Sequence, residues 1–158
     1  MHTTKRYNYA TIFVNHFSKL GYVHLQQTLT SDDMVKAKKA FKNYVTTYNI
    51  KILCYHADNG HFTDNAFHKD LQDNNQTIIF CGVNAHWQNG VAEKWIRDLT
   101  ENARAKLLFA QRRWPDAITM YLWPYALQMA NTIYNYVPLR GRKPLPLNYS
   151  AQHPCCRS

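Results

Sequence analysis

The sequence predicts an α/β fold, and three observations carry the prediction. Short apolar runs bounded by turn residues alternate with longer segments whose apolar residues recur every three or four positions. At 158 residues, with 46% apolar and 18% charged content, the chain is one domain in size and rich enough in apolar residues to build a core. Two acids beside glycines stand 35 positions apart, Asp58 in Ala57-Asp58-Asn59-Gly60 and Glu93 in Asn89-Gly90-Val91-Ala92-Glu93. One ends a strand pattern, the other lies on a helix pattern.

Tyr9 to Val14 and Tyr22 to Gln27 read as a strand pair, the second around His24. Ser31 then caps a helix running to about Tyr48, with Ala37, Phe41, Tyr44 and Tyr48 on its buried stripe. Asp32 and Asp33 occupy its first turn, where acids complement the helix dipole. Lys36, Lys38, Lys39 and Lys42 read as its solvated face. Asn49 to Ala57 reads as a buried strand that Asn59-Gly60 breaks with turn chemistry, which leaves Asp58 at the strand tip, a common place for catalytic groups in open α/β sheets.

A short helix near Asp64 to Gln72 and a strand from Gln76 to Cys81 follow. Beyond Asn89-Gly90, Ala92, Ile96, Leu99, Ala103 and Leu107 define the apolar stripe of a long helix, while Glu93, Arg97, Thr100 and Arg104 define a second stripe. That helix ends before Trp114-Pro115, and Pro115 suits the first turn of a last helix spanning roughly Asp116 to Tyr136, with Trp123, Tyr125 and Tyr134 on its apolar stripe. Leu145 to Ser158 is polar and punctuated by proline, so the organisation expected is one domain over 1–146 and a tail over 147–158.

The net charge of +9 favours a polyanionic partner. Lys94, Arg97, Arg104, Lys106, Arg112 and Arg113 lie on the Glu93 helix or at its end, and Arg140, Arg142 and Lys143 crowd the loop from Pro138 to Pro146. Phosphate contacts from such groups are largely independent of base sequence and sensitive to salt. Cys54 and Cys81 fall within strand patterns and Cys155-Cys156 are adjacent, so no Cys-x-x-Cys ligand pair exists and the thiols are expected reduced. No run of 18 apolar residues and no signal peptide is present, so the expectation is an intracellular chain, nuclear or cytoplasmic, that is neither secreted nor inserted in a membrane.

Two carboxylates brought together from a strand end and a helix suit magnesium, a hard cation that takes oxygen ligands and also holds phosphates. The spacing of Asp58 and Glu93 therefore points to metal-assisted chemistry on a nucleic acid. The alternative for Glu93 is a helix pair with Arg97, worth roughly 0.2–0.5 kcal/mol.

Three stretches carry a family resemblance: His56-Ala57-Asp58-Asn59-Gly60, Ile79-Phe80-Cys81-Gly82-Val83, and His86-Trp87-Gln88-Asn89-Gly90-Val91-Ala92-Glu93-Lys94. They resemble the second and third acidic motifs of the integrase catalytic core of Copia-type LTR retrotransposons. The likeness runs from about Tyr9 to Pro146 and includes Glu101-Asn102-Ala103-Arg104-Ala105-Lys106-Leu107-Leu108, Leu122-Trp123-Pro124-Tyr125-Ala126 and the Asn135 to Pro138 segment. The resemblance implies a ribonuclease H-like fold, with a mixed sheet flanked by helices. It also implies a polynucleotidyl transferase that joins element ends to target DNA with two Mg2+ or Mn2+ ions.

Such cores use three acids, of which Asp58 and Glu93 correspond to the second and third and serve as catalytic and metal-binding residues. The first aspartate belongs to a first, central strand, and Met1 to Arg6 contain no acid. Asn15 stands where relatives carry a further aspartate that is not a catalytic ligand. Asp98 lies about 140° round the helix from Glu93 and Glu101 about 12 Å along it, so neither can replace the missing acid. The resemblance points to Lys94 and Arg97 for phosphate contact, Arg104 joins them by the charge of the same helix, and Asn59 and Asn89 would orient turns or contact nucleic acid.

Loss of the central strand is expected to leave two sheet fragments with unpaired edges. Each buried unpaired backbone group costs about 1–3 kcal/mol, against a net domain stability of about 5–15 kcal/mol. The 158-residue chain is therefore expected to fold poorly or associate with itself and to show little or no strand transfer. Two other functions stay open: a non-catalytic remnant that binds nucleic acid or multimerises, and a nuclease of the same broad fold.

Overall fold

The structure, a computed structural model, describes residues 6–16, 18–57, 62, 64–80 and 90–136. Asp58, Asn59, Asn89, the loop at 138–146 and the tail at 147–158 lie outside the described residues. Along the chain run β1 (Tyr9–Val14), β2 (Gly21–Gln26), α1 (Ser31–Thr46), β3 (Cys54–Ala57), α2 (Asn65–Asp73), β4 (Thr77–Phe80), α3 (Gly90–Arg113), a 3-10 turn (Met120–Leu122) and α4 (Trp123–Tyr136). The described strands form two sheets of two strands, β1 with β2 antiparallel and β3 with β4 parallel. Two compact units organise these elements, Met1–Gln27 with Val91–Pro144 and Thr28–Gly90 with Leu145–Ser158.

In the first unit β1 and β2 pair from Tyr9 opposite Gln26 to Val14 opposite Gly21. The connection is tied by Asn15, whose N–H donates to the Leu20 carbonyl at 2.9 Å and whose Oδ1 accepts the Ser18 N–H at 2.8 Å. Asn15 thus builds the hairpin turn, a local task that asparagine performs as well as aspartate. Lys19 takes the left-handed conformation (φ 57°) that closes it.

The core of this unit joins Val23 of β2, Trp95, Leu99 and Ala103 of α3, and Ala126, Leu127 and Ala130 of α4. On α3 the buried stripe is therefore Trp95, Leu99 and Ala103, while Ile96 is 44% exposed. Apolar residues at both 95 and 96 allow two helical registers, and the larger ring wins the core by packing edge-on to Tyr134 at 4.4 Å between centroids.

The last helix also differs from expectation. Ala117 and Ile118 turn back on the Trp114 carbonyl, the 3-10 turn follows, and α4 begins only at Trp123. A continuous helix from Asp116 would carry Pro124 in its interior, where proline removes a hydrogen bond and clashes; starting at Trp123 puts it in the first turn. Tyr125, read as a core residue, is 46% exposed; the buried face carries Pro124, Ala126, Leu127, Ala130 and Asn131.

In the second unit α1 buries Met34, Ala37, Lys38, Phe41 and Val45. Its N-cap is Thr30, whose side chain accepts the Asp33 N–H at 3.3 Å. Ser31, the expected cap, instead hydrogen-bonds the Asp64 carboxylate, which itself caps α2 by accepting the Ala66 N–H at 3.4 Å. Bonds from Thr28, Lys36 and Thr30 hold the Asp33 carboxyl down to about 2.

Both helices end alike. Past α1 the Ile50 N–H reaches the Val45 carbonyl at 3.2 Å, past α2 the Gln76 N–H reaches Leu71 at 2.9 Å, and Asn49 and Asn75 between them adopt φ of 56° and 51°. These are Schellman closures with asparagine at the left-handed position.

Candidate functional site

Asp58 itself lies outside the described residues, but the strand that leads to it is present. β3 ends at Ala57, with Tyr55 and Ala57 buried and His56 exposed. Its parallel partner β4 holds it in register, from Cys54 opposite Thr77 to Ala57 opposite Phe80. Ala57, the residue before Asp58 in the sequence, is the last paired residue of β3.

Glu93 sits in the first turn of α3, where a carboxylate is favoured by the helix dipole. It is exposed, and so are Lys94, Arg97, Thr100 and Arg104. The predicted second stripe is therefore the solvent face of α3, opposite Trp95, Leu99 and Ala103. Among the described residues the ion pairs are Lys36–Asp33, Lys38–Asp70 and Lys39–Asp70, so Glu93 and Arg97 do not pair.

The other acids of α3 are placed differently. Asp98 accepts a hydrogen bond from the Tyr134 hydroxyl at 3.0 Å, which ties α3 to α4. Glu101 lies exposed two turns beyond Glu93. Neither stands beside Glu93, in keeping with the helix geometry. The Thr100 hydroxyl is spent on the Ile96 carbonyl at 2.7 Å, which leaves Arg97 and Arg104 as the stripe's cations, with Lys94 exposed beside Glu93.

As a metal ligand, Glu93 fits in kind: it is a hard oxygen donor, open to solvent, with no ion-pair partner among the described residues. Those same residues contain no group of three or more His, Cys, Asp and Glu side chains able to hold a metal. No complete metal-binding group therefore surrounds Glu93 among the described residues. Asn59 and Asn89, the two amides assigned to nucleic acid, lie with Asp58 outside the described residues.

Sequence reasoning missed two polar arrangements. Gly21 on β2 is held by Asn131 and Asn135 of α4, and Lys38 of α1 is buried against Asp70 of α2. For the first, a signal existed in two asparagines spaced four apart on one side of a largely apolar helix. For the second, Lys38 stands in line with Met34, Phe41 and Val45 at helical spacing. The solvated-face reading is thus corrected for Lys38, which is 1% exposed, and holds for Lys36 and Lys39.

No protein-family model matches the chain. No curated protein matches it either. Solved structures do. The catalytic core domain of HTLV-2 integrase in complex with magnesium superposes in its trimeric form with a TM-score of 0.61 at 19% identity, over 87% of this chain and 80% of that one. Its dimeric form gives 0.62 at 19% identity, over 90% and 85%. The catalytic core domain of BIV integrase gives 0.55 at 20% identity, over 84% and 80%. At such identity the likeness speaks for architecture, and the strand and helix order given above is consistent with it: the chain has the ribonuclease H-like α/β fold of retroviral integrase catalytic cores.

Proposed function

We propose that the chain is the core of a Copia-type retrotransposon integrase, a polynucleotidyl transferase that joins DNA ends to target DNA with divalent metal. The observation that carries this reading is Glu93, exposed and free of Arg97, heading a helix face with Lys94, Arg97 and Arg104 in a fold shared with integrase cores. That one such core is in complex with magnesium supports the choice of Mg2+ or Mn2+, two ions in the complete site. Asp58 and Glu93 would hold these ions through their carboxylates. Bound there, the metal supplies Lewis-acid stabilisation of the attacking and leaving oxygens at phosphorus. Lys94, Arg97 and Arg104 bind the neighbouring phosphates and orient the strand for in-line attack. Asn59 and Asn89, near the acids in the sequence, would orient turns or contact DNA and would take no part in the chemistry.

Two acids of three are an incomplete site, so the 158-residue chain should show no strand transfer above background in an oligonucleotide joining assay with magnesium or manganese. Joining by this chain that disappears in Glu93→Gln would overturn the expected inactivity. Extended upstream by an apolar strand that carries an aspartate, the chain should gain joining activity. Glu93→Gln or Asp58→Asn should then reduce it by about 10²–10³-fold, the range for one electrostatic stabiliser. Full activity in Glu93→Gln would remove Glu93 from the mechanism.

A second reading is a remnant that holds DNA or multimerises without chemistry. The observation that favours it is the apolar surface of the first unit, where Phe109, Met120, Tyr121 and Tyr136 are each at least two-thirds exposed. The HTLV-2 cores are described in dimeric and trimeric forms, which supports self-association as a homo-oligomer. No helix among the described residues is long and apolar enough to cross a membrane. Work on DNA would place the protein in the nucleus or, before import, in the cytoplasm.

A further inference from the structure

The second unit carries a basic concavity that the integrase reading does not use. It has a volume of about 270 Å³ and is lined by Lys38, Lys39, Lys42 and Asn43 of α1, by Asp70 of α2 and by Asn74 at the end of α2. Lys38 Nζ lies 2.6 Å from Asp70 Oδ2, and Lys39 Nζ 3.3 Å from the other oxygen of the same carboxylate. Lys42 Nζ meets only a neutral partner, Asn74 Oδ1, at 2.7 Å. Two ammonium groups thus share one carboxylate, and the third has no acid beside it among the described residues.

A structural ion pair needs one lysine for one aspartate, so Lys39 and Lys42 bring positive charge beyond what the buried Lys38–Asp70 pair requires. Lys38 shows the cost of burial. Burial is the largest influence pushing its ammonium below the usual lysine range, against the pull of Asp70, and the charges of Lys42 and Lys39 push it further down. Lys38 forms the buried floor of the concavity, and Lys39, 62% exposed, and the half-buried Lys42 stand at its open rim.

We infer that this concavity is an anion site for a phosphoryl group. A tetrahedral oxyanion presents several acceptor oxygens at once, which suits ammonium donors from successive turns of α1 together with the side-chain amide of Asn43; the Asn74 amide is engaged with the Asp70 carbonyl and Lys42. With a water occupying about 30 Å³ in the liquid, the space admits a phosphate with some of its hydration. Asp70 offers such a ligand no donor, and its own charge is covered by Lys38 and Lys39. The phosphate can belong to a nucleic-acid backbone or to a free phosphate compound, and the chemistry of the site is the same for both.

The test uses the full chain with pyrophosphate as probe, followed by calorimetry and by chemical shifts of the lysine ammonium groups. Lys39→Gln with Lys42→Gln should weaken pyrophosphate binding by about tenfold or more, the scale of lost charge-assisted hydrogen bonds. Lys36→Gln should leave it unchanged, because Lys36 pairs with Asp33 and is 70% exposed. Lys42→Gln alone carries the test if the double variant loses its circular-dichroism signal. Competition by a single-stranded oligonucleotide, sensitive to the same lysines, identifies the backbone as the source; pyrophosphate binding without competition identifies a free phosphate, and either result upholds the site. Equal affinity in the variants, or no pyrophosphate binding at millimolar concentration by a folded chain, overturns it. Asp58→Asn and Glu93→Gln should not alter this binding, so its failure is separable from failure of the transferase reading.

Discussion

Asn135 grips the backbone of Gly21 at two points: its Oδ1 accepts the Gly21 N–H at 2.9 Å and its Nδ2 donates to the Gly21 carbonyl at 2.8 Å. Asn131 adds a second donor to that carbonyl at 3.0 Å. Side-chain amides on α4 thereby satisfy the first residue of β2 much as a neighbouring strand would. The approach is close because residue 21 has no side chain: a Cβ there would lie 2.4 Å from Trp95 Cζ2 and 2.6 Å from Asn131 Oδ1.

Asn135→Ala should therefore lower stability by about 1–3 kcal/mol, the cost of leaving the Gly21 groups short of partners. Gly21→Ala should cost more than a typical point mutation, because the ring of Trp95 and the amide of Asn131 must both give way. Urea midpoints at unchanged slope measure both effects. A Gly21→Ala midpoint equal to that of the unaltered chain would contradict the close packing.

The buried Lys38–Asp70 pair gives stability an acid limit. Burial raises the Asp70 carboxyl, but the hydrogen bonds and charges of Lys38 and Lys39 outweigh it and hold the group below its usual range. A carboxylate depressed in the folded state contributes stability that is present above the unfolded value of about 3.9 and is lost as pH falls through the folded value. Asp70→Asn should flatten this acid limb. At neutral pH it should cost about 3–5 kcal/mol, since it leaves the Lys38 ammonium buried and unpaired. Replacing both residues, Lys38→Met with Asp70→Asn, should recover most of that loss. Thermal melts between pH 3 and pH 7 provide the comparison.

Much of the fold is legible because it is local. The bounds of β1, the stop of α3 at Arg113 and the solvent stripe of Glu93, Arg97 and Arg104 follow from turn residues and helical period, and each appears as expected. Where two local patterns compete, tertiary packing decides, as with Trp95 over Ile96 and with Pro124 setting the start of α4. The Gly21–Asn135 clamp spans 114 positions, and no periodicity encodes such a meeting. Of the candidate site, the sequence reveals the charge of α3 but not whether Glu93 pairs with Arg97, because both outcomes suit the same spacing.

Asn49 and Asn75 test how strictly the helix ends are specified. Each takes a left-handed conformation, which asparagine tolerates and glycine adopts freely. Alanine at either position should cost about 1 kcal/mol, whereas glycine should be close to neutral. Equal losses for alanine and glycine would mean that the asparagine side chain, not its backbone preference, closes the helix.

The exposed cations of α3 predict how the chain meets DNA. If Lys94, Arg97 and Arg104 each touch one phosphate, each substitution by alanine should reduce the slope of log affinity against log salt by about 0.9 for a duplex. Binding should weaken to a similar degree for unrelated sequences, since phosphate contacts carry no base information. Lys36→Ala serves as the control, because it removes one positive charge from a different helix and should leave the slope unchanged. The same measurement separates the two functional readings. In a binding remnant, Asp58→Asn with Glu93→Gln should leave salt-dependent binding intact, or strengthen it slightly by removing negative charge, and should be equally indifferent to magnesium. In a transferase core, affinity for DNA should rise with magnesium, because metal held by Asp58 and Glu93 neutralises the phosphates facing them, and that increment should vanish in the double variant. Fluorescence anisotropy with labelled duplexes across 50–300 mM salt, with and without magnesium, reads both quantities from one set of titrations.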